Sequence, residues 1–273
     1  MPTQSSKISS FRSLHKSSAP FIIPNPWDAG SARALQAIGY KALATTSSGF
    51  AMTRGRHDYG MTRDEVLRHC ESITAAVDIP VSADLENGFG RGPDDTAETI
   101  RLAIQTGLAG GSIEDSTGDP ANPVFEESLA VERMIAAVEV AKSAGNGFVV
   151  TARAEALLYG STDIDQIIRR LQKFSDAGAD VLFSPGLATI ADVKMVCESV
   201  NKPVNVLIYG DLAKYSIGDI GRAGGTRISV GGALAQSAYC AMIEQASAMH
   251  KNNAFDGASS DPKAKAVLET ALT

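Results

Sequence analysis

Cysteine is scarce in this chain, and what there is does not pair. Three cysteines in 273 residues, Cys70, Cys197 and Cys240, are far apart and odd in number. No CxxC and no Cys/His spacing suited to zinc occurs. Each lies in an apolar, helix-like stretch, so all three read as buried, reduced thiols of a cytoplasmic protein. Long apolar runs are missing too: none approaches the ~18 residues of a membrane span. Basic runs and aromatic platforms are absent, the net charge is −6 and the pI about 5.3, which excludes a nucleic-acid partner. Acids are missing from residues 1–20, which are Ser-rich and carry Lys7, Arg12 and Lys16. That composition loosely resembles a transit peptide, but the spacing of Phe11 and Leu14 favours a short helix capping one end of the fold.

What is present is a regular alternation of strand and helix patterns. Strands are predicted at 21–25, 42–47, 80–86, 110–115, 148–155, 180–185, 203–209 and 227–231. Helices follow at 29–39, 62–77, 93–107, 128–144, 163–177, 190–200, 215–223 and 233–250. Thr62 with Glu65 makes a capping box, and Pro93 opens a helix. Runs such as Val204-Asn205-Val206-Leu207-Ile208 are nearly continuous in apolar residues, as strands buried on both faces must be. Eight such units without a linker predict one α/β domain, a single (β/α)8 barrel over residues 1–251 with an N-terminal capping helix. Residues 252–273 form a tail with a helix predicted over 262–272.

The most informative run is Ser82-Ala83-Asp84-Leu85-Glu86-Asn87-Gly88-Phe89-Gly90. Two carboxylates at i and i+2 of a strand point to one face. A similar pattern recurs at Gly111-Ser112-Ile113-Glu114-Asp115-Ser116. Acids at the ends of neighbouring buried strands are costly unless a cation neutralises them, and an all-oxygen set suits a hard divalent ion, Mg2+ or Mn2+ in its place. In a barrel the active site lies at the C-terminal strand ends. Those ends carry Asn25 to Asp28, Thr45 to Phe50, Asp84 and Glu86, Glu114 and Asp115, Arg153 and Glu155, Ser184 and Pro185, Tyr209, and Gly231-Gly232. Ser48, Gly49 and Phe50 offer backbone N–H groups, and Arg153 can grip an anion. Arg153 can equally be a structural partner of Glu155, Glu114 or Asp84. Gly231-Gly232 suits a phosphate as well as a tight turn into the last helix. His57 reads as a surface loop residue, and His69 and His250 as helical residues without a ligand role.

These residues resemble the isocitrate lyase/phosphoenolpyruvate mutase superfamily over about residues 11–250. The resemblance rests on Pro26-Trp27-Asp28-Ala29-Gly30-Ser31-Ala32, Thr46-Ser47-Ser48-Gly49, Asp84 to Gly90, Ile113-Glu114-Asp115 and Ala152-Arg153. It implies a (β/α)8 barrel, an Mg2+ site, cleavage or formation of a C–C or P–C bond beside an oxo-acid carboxylate, and a homotetramer whose paired subunits exchange the last barrel helix. Carried over, Asp84 is the direct metal ligand, with Glu86 and Glu114 acting directly or through water and Asp58 further out. Thr46, Ser48, Gly49 and Phe50 line the oxo-acid carboxylate site, and Arg153 takes the distal anionic group.

The loop after strand four departs from isocitrate and methylisocitrate lyases. It reads Ser116 to Phe125 with no cysteine, histidine or lysine, leaving Asn122 as a weak analogue. The chain thus looks closer to the short-loop members, which resemble oxaloacetate decarboxylase or carboxyphosphonoenolpyruvate phosphonomutase. Tyr209 either donates a proton or walls the pocket. The expected function is a metal-dependent lyase acting on a small 2-oxo or 2-hydroxy di- or tricarboxylate through an enolate-like intermediate, Arg153, Tyr209 and Glu114 carrying the catalysis. Two alternatives stand beside it: P–C chemistry on phosphonopyruvate-type substrates, and an oxo-acid binding protein of low turnover. A Schiff-base aldolase is disfavoured, because Lys194, Lys202 and Lys214 fall outside the strand ends.

Overall fold

A computed structural model describes residues 2–255 and 261–272. Eight parallel strands, β1 (Phe21–Ile22), β2 (Leu43–Ala44), β3 (Val81–Asp84), β4 (Gly110–Glu114), β5 (Val149–Arg153), β6 (Val181–Phe183), β7 (Val204–Leu207) and β8 (Arg227–Ser229), pair in the order β1-β8-β7-β6-β5-β4-β3-β2. The Ala44 amide donates to the Pro24 carbonyl at 3.1 Å, which closes the sheet between β2 and β1. The architecture is the α/β barrel that the alternation predicts. The observed strands are shorter than predicted because only their central residues pair. Their ends turn into loops, and these loops carry the chemistry.

The outer helices follow their caps. α2 (Ala29–Ile38) starts at Asp28 and ends at left-handed Gly39. Next comes the short helix α3 (Ser47–Thr53), then α4 (Arg63–Ala76) after the Thr62–Glu65 capping box and α5 (Pro93–Gln105) with proline in its first turn. α6 (Glu127–Ser143), α7 (Ile164–Asp176), α8 (Ile190–Ser199) and α9 (Ile217–Arg222) complete the ring up to β8. Their apolar faces and the outward-facing strand residues make one continuous core, with Leu85, Ile100, Ile113, Leu182 and Val206 among its members.

α1 (Gln4–Lys16) plugs the N-terminal end of the barrel, as the Phe11–Leu14 spacing predicts. Phe11 and Ile8 are buried with Ile23, Val149 and Val181, and Lys7 Nζ donates to the carbonyls of Thr74 and Val77. The plug needs a glycine at position 110: a Cβ there would lie 2.6 Å from the Val149 carbonyl oxygen and 3.1 Å from Phe11.

At the other end of the chain α10 (Ala233–Asn252) buries only Ala235, and Leu234, Met242 and Ile243 are exposed. α11 (Pro262–Leu272) lies against α2. The three cysteines do not share the burial expected of them. Cys70 is buried, Cys197 half-buried and Cys240 exposed, because α10 has no layer outside it. Among the described residues no helix is long and apolar enough to cross a membrane.

Candidate active site

The inward side chains of β3, β4, β5, β7 and β8 are not the bulky branched residues usual in such barrels. Ser82, Ser112, Thr151, Asn205, Arg227 and Ser229 are all buried. Being small or polar, they leave a cavity of about 180 Å3 along the axis. Its mouth is formed by Thr46, Ser47, Ser48, Asp58, Asp84 and Arg153, and its depths by Ser82, Ser112, Asn205 and Arg227.

Arg153, at the end of β5, organises the mouth. Its Nε donates to Glu155 Oε1 and its Nη2 to Glu155 Oε2 at 3.1 Å. Its Nη1 lies 3.2 Å from Glu114 Oε2 and 3.5 Å from Asp84 Oδ1. The guanidinium also sits over the Phe183 ring, 5.2 Å from its centroid. Burial alone would lower its pKa, but Glu155, Glu114 and Asp84 together raise it. The same burial lifts the acids: Glu155 to about 7 against the pull of Arg153, and Glu114 well above the usual range, helped by Glu155 and Asp84. Asp115 belongs to a separate buried pair, bonded to Arg170 at 2.8 Å, and it accepts the Glu155 amide at 2.8 Å.

Asp84 Oδ2 accepts from Ser47 Oγ at 2.9 Å and from the Ser47 amide at 3.2 Å, and Oδ1 from the Glu86 amide at 3.3 Å. Asp84 and Glu86 do not share the strand face predicted for them, because β3 ends at Asp84. Glu86 follows in a left-handed conformation with φ 48°, which opens its side chain onto the crevice beside Tyr59, Asn87 and Gly118. It is 4% exposed, and its Oε1 is buried with no partner. Burial, then the charges of Asp84 and Asp58, push its carboxyl up to about 8. Asp58 is open to water at its rim yet surrounded by protein on its inner side. Burial and Asp84 raise it as well.

Thr46, Ser48 and Gly49 lie in a segment that is not a strand end. Thr46 caps α3, its Oγ1 accepting the Gly49 amide at 3.2 Å. The Ser48 amide has no protein acceptor among the described residues. Phe50 turns away and stacks on His69 at 3.8 Å, while His69 Nε2 meets the Trp27 carbonyl at 2.9 Å. Tyr209 is 43% exposed and Asn122 is exposed near Asp119, and neither lines the cavity.

Sequence reasoning missed Tyr59. Its hydroxyl donates to Glu114 Oε1, and burial and Glu114 raise its pKa. Its position beside Asp58 in a loop overhanging the strand ends was the available signal. Arg227 was missed as well. Its Nε donates to Asn205 Oδ1 at 2.8 Å and its Nη1 to Thr151 Oγ1 at 3.2 Å.

Asp84, Glu114 and Glu155 thus pair with Arg153, and Asp58 and Glu86 lie near enough to feel its charge. Among the described residues no three His, Cys, Asp or Glu side chains form a ready chelate. A magnesium-like ion does not require one, since it binds through one or two carboxylates and keeps several waters. The oxygen-only donors, the surplus negative charge and the orphaned Glu86 Oε1 fit such an ion.

A family model described as phosphoenolpyruvate phosphomutase matches residues 11–250. An uncharacterized protein of Mycobacterium tuberculosis is 32% identical over 224 residues, 81% of either chain. The 2-methylisocitrate lyase of Escherichia coli K12 is 30% identical over 210 residues, 73% of this chain and 70% of that one. The crystal structure of a lyase/mutase candidate from Burkholderia cenocepacia J2315 superposes with a TM-score of 0.92 at 44% identity, covering 95% of this chain and 94% of that one.

Proposed function

Because this chain belongs to the phosphoenolpyruvate phosphomutase family, within the isocitrate lyase superfamily, we propose that it is a divalent-metal-dependent carbon–carbon lyase. Its substrate is a small 2-oxo or 2-hydroxy acid, cleaved or decarboxylated through an enolate-like intermediate. The observation that carries this reading is the pairing of Asp84 and Glu114 with Arg153 at the end of β5, beside Glu86, which feels the charge of Asp84 and whose Oε1 is buried without a partner among the described residues.

Asp84 is the direct ligand in this reading, and Glu86 and Glu114 act directly or through water, with Asp58 further out. A divalent ion there, Mg2+ or Mn2+, supplies positive charge against the negative charge that develops on a substrate oxygen. The Ser48 amide receives the carboxylate next to the reacting carbon, while the Gly49 amide, donated to Thr46 Oγ1, holds that loop in shape. Arg153 holds Glu155, Glu114 and Asp84 in register, and Tyr59 donates its hydroxyl to Glu114. Tyr209 and Asn122 reach the reaction only if their loops move, and the 2-methylisocitrate relative's chemistry comes here without a cysteine on the 116–125 loop. The exposed Leu234, Met242 and Ile243 on α10 support a homotetramer that covers this helix, by exchange between paired subunits; light scattering of the purified protein reads that directly.

Calorimetric titration with oxalate tests the site. Binding is expected with Mg2+ and not without it, and Asp84→Ala should abolish it. Binding that ignores the metal, or no binding in either condition, overturns the assignment. A substrate panel then separates C–C from P–C chemistry. Turnover of oxaloacetate or a 2-hydroxy acid supports the lyase, turnover of phosphonopyruvate the phosphomutase reading that the family description keeps alive, and binding without turnover an oxo-acid binding protein.

A further inference from the structure

Arg227 is a buried cation that lines the axial cavity and that the preceding reading does not use. It is 4% exposed, and its guanidinium reaches the floor of the axial cavity. Among the described residues its only acceptors are two neutral oxygens, Asn205 Oδ1 and Thr151 Oγ1, while a guanidinium carries five N–H donors. No carboxylate offsets its burial, which lowers its pKa to about 9. A cation taken out of water without a counter-charge is costly. The plug below does not provide one. His15, the titratable group facing Arg227 from α1, is pushed down to about 3 by burial and by Arg227, so it is neutral. Its Nδ1 lies 2.8 Å from the Phe11 carbonyl, and its Nε2 is buried without a partner.

The floor therefore holds unspent positive charge and unspent donors at the end of a polar shaft walled by Ser82, Ser112 and Ser229. The mouth does not compete for an anion, because Arg153 is already engaged by three carboxylates. Thr151, which Arg227 bonds, is one inward position below Arg153, about 7 Å along the strand.

We propose that Arg227 is an anion subsite that takes the distal carboxylate of a dicarboxylic substrate, pointing down the barrel axis. The inference rests on the preceding reading that the oxo-acid end binds at Asp84 and Ser48. It assigns to Arg227 the distal-anion role that the family resemblance implies for Arg153, and it makes the preferred substrate a dicarboxylate rather than a monocarboxylate. Arg227 is a specificity residue here, remote from the reacting atoms.

Malate and 2-hydroxybutyrate test it, since they differ only in a distal carboxylate against a methyl group. With Mg2+ present, malate should bind the wild-type protein about tenfold or more tighter, the scale of a buried charged hydrogen bond. Arg227→Gln should erase that preference and leave Mg2+-dependent oxalate affinity unchanged, because oxalate is too short to reach the floor. Ser112→Val, which narrows the shaft and leaves Arg227 in place, should do the same and serves if Arg227→Gln does not fold. Equal binding of the two acids by the wild type overturns the proposal, as does a preference that survives in a folded Arg227→Gln protein. Loss of oxalate binding in the wild type instead overturns the underlying site assignment.

Discussion

The two arginines inside the barrel sit in opposite surroundings. Arg153 at the mouth is held by Glu155, Glu114 and Asp84, whereas among the described residues Arg227 on the floor bonds only the amide oxygen of Asn205 and the hydroxyl of Thr151. Arg227 is buried and Arg153 half-buried, and desolvation works against both. At the mouth the carboxylates overcome it and raise the Arg153 pKa, while on the floor nothing does. One residue type thus serves two ends: a fully paired arginine fixes geometry, and an under-paired one keeps capacity for something that is not part of the chain. Acids outnumber cations at the mouth and a cation stands without acids on the floor, so the cavity carries a charge gradient along its axis.

The sharpest way to break that comparison is Arg153→Met. Removing the shared cation leaves Glu155 and Glu114 buried without their counter-charge, which should cost about 3–5 kcal/mol, read as the urea midpoint of the metal-free protein. A loss below about 1 kcal/mol would mean that the acids stay protonated and the cluster is not held by charge. Tyr59→Phe sharpens the same contrast from above. It deletes the donor to Glu114 and should cost about 1.5–3 kcal/mol, the range for a hydrogen bond to a charged group. A smaller loss, about 0.5–1.5 kcal/mol, would show that Glu114 is protonated, so that the pair is a neutral one.

Much of this arrangement was legible from residue patterns. Thr62 with Glu65, Pro93 and the left-handed Gly39 mark helix ends through local bonding that needs no fold, and the strand-end acids follow from barrel geometry. What was not legible depends on register and on backbone conformation. Thr45 to Phe50 reads as a strand end because Ser-Ser-Gly has little helix propensity, yet Thr46 caps the helix Ser47–Thr53 there. Glu86 leaves the strand because a non-glycine residue adopts positive φ, which no residue pattern announces. Tyr59 meets Glu114 across 55 residues, and Arg227 meets Asn205 and Thr151 across 22 and 76. These contacts exist only once the strand registers are set. The burial expected of Cys240 failed for a related reason: α10 has the composition of a covered helix and, in the single chain, no cover.

His15 offers a milder test of the floor. Its folded pKa is near 3, against about 6.5 for an unperturbed imidazole. Between those values the unfolded chain binds a proton at His15 that the folded chain refuses. Stability contributed by neutral His15 is complete above pH 6.5 and falls as the pH drops toward 3, by up to about 1.4 kcal/mol per pH unit. The ring packs edge-on against Phe11 and Phe21 at 4.6 and 5.1 Å, so His15→Phe keeps the packing. The difference between wild type and His15→Phe in urea midpoint should grow steadily below pH 6.5. A constant difference would show that the ring protonates in place and that the charge of Arg227 is screened from it.

The smallest expected effect is the most informative for the comparison. Arg227→Met removes a cation that has no carboxylate partner, so the relief of its desolvation offsets the two hydrogen bonds lost with Asn205 and Thr151. Replacing a buried charge by an apolar side chain of similar volume is often neutral or stabilising. The expected change in urea midpoint is therefore within about 1 kcal/mol, of either sign, beside the severalfold larger loss for Arg153→Met. A fall as large as that of Arg153→Met would show that the floor arginine is a structural keystone whose charge the fold itself requires. A near-neutral result, in a protein that still binds oxalate with Mg2+, would separate the two arginines by purpose: one maintained by the fold, the other by what enters the cavity.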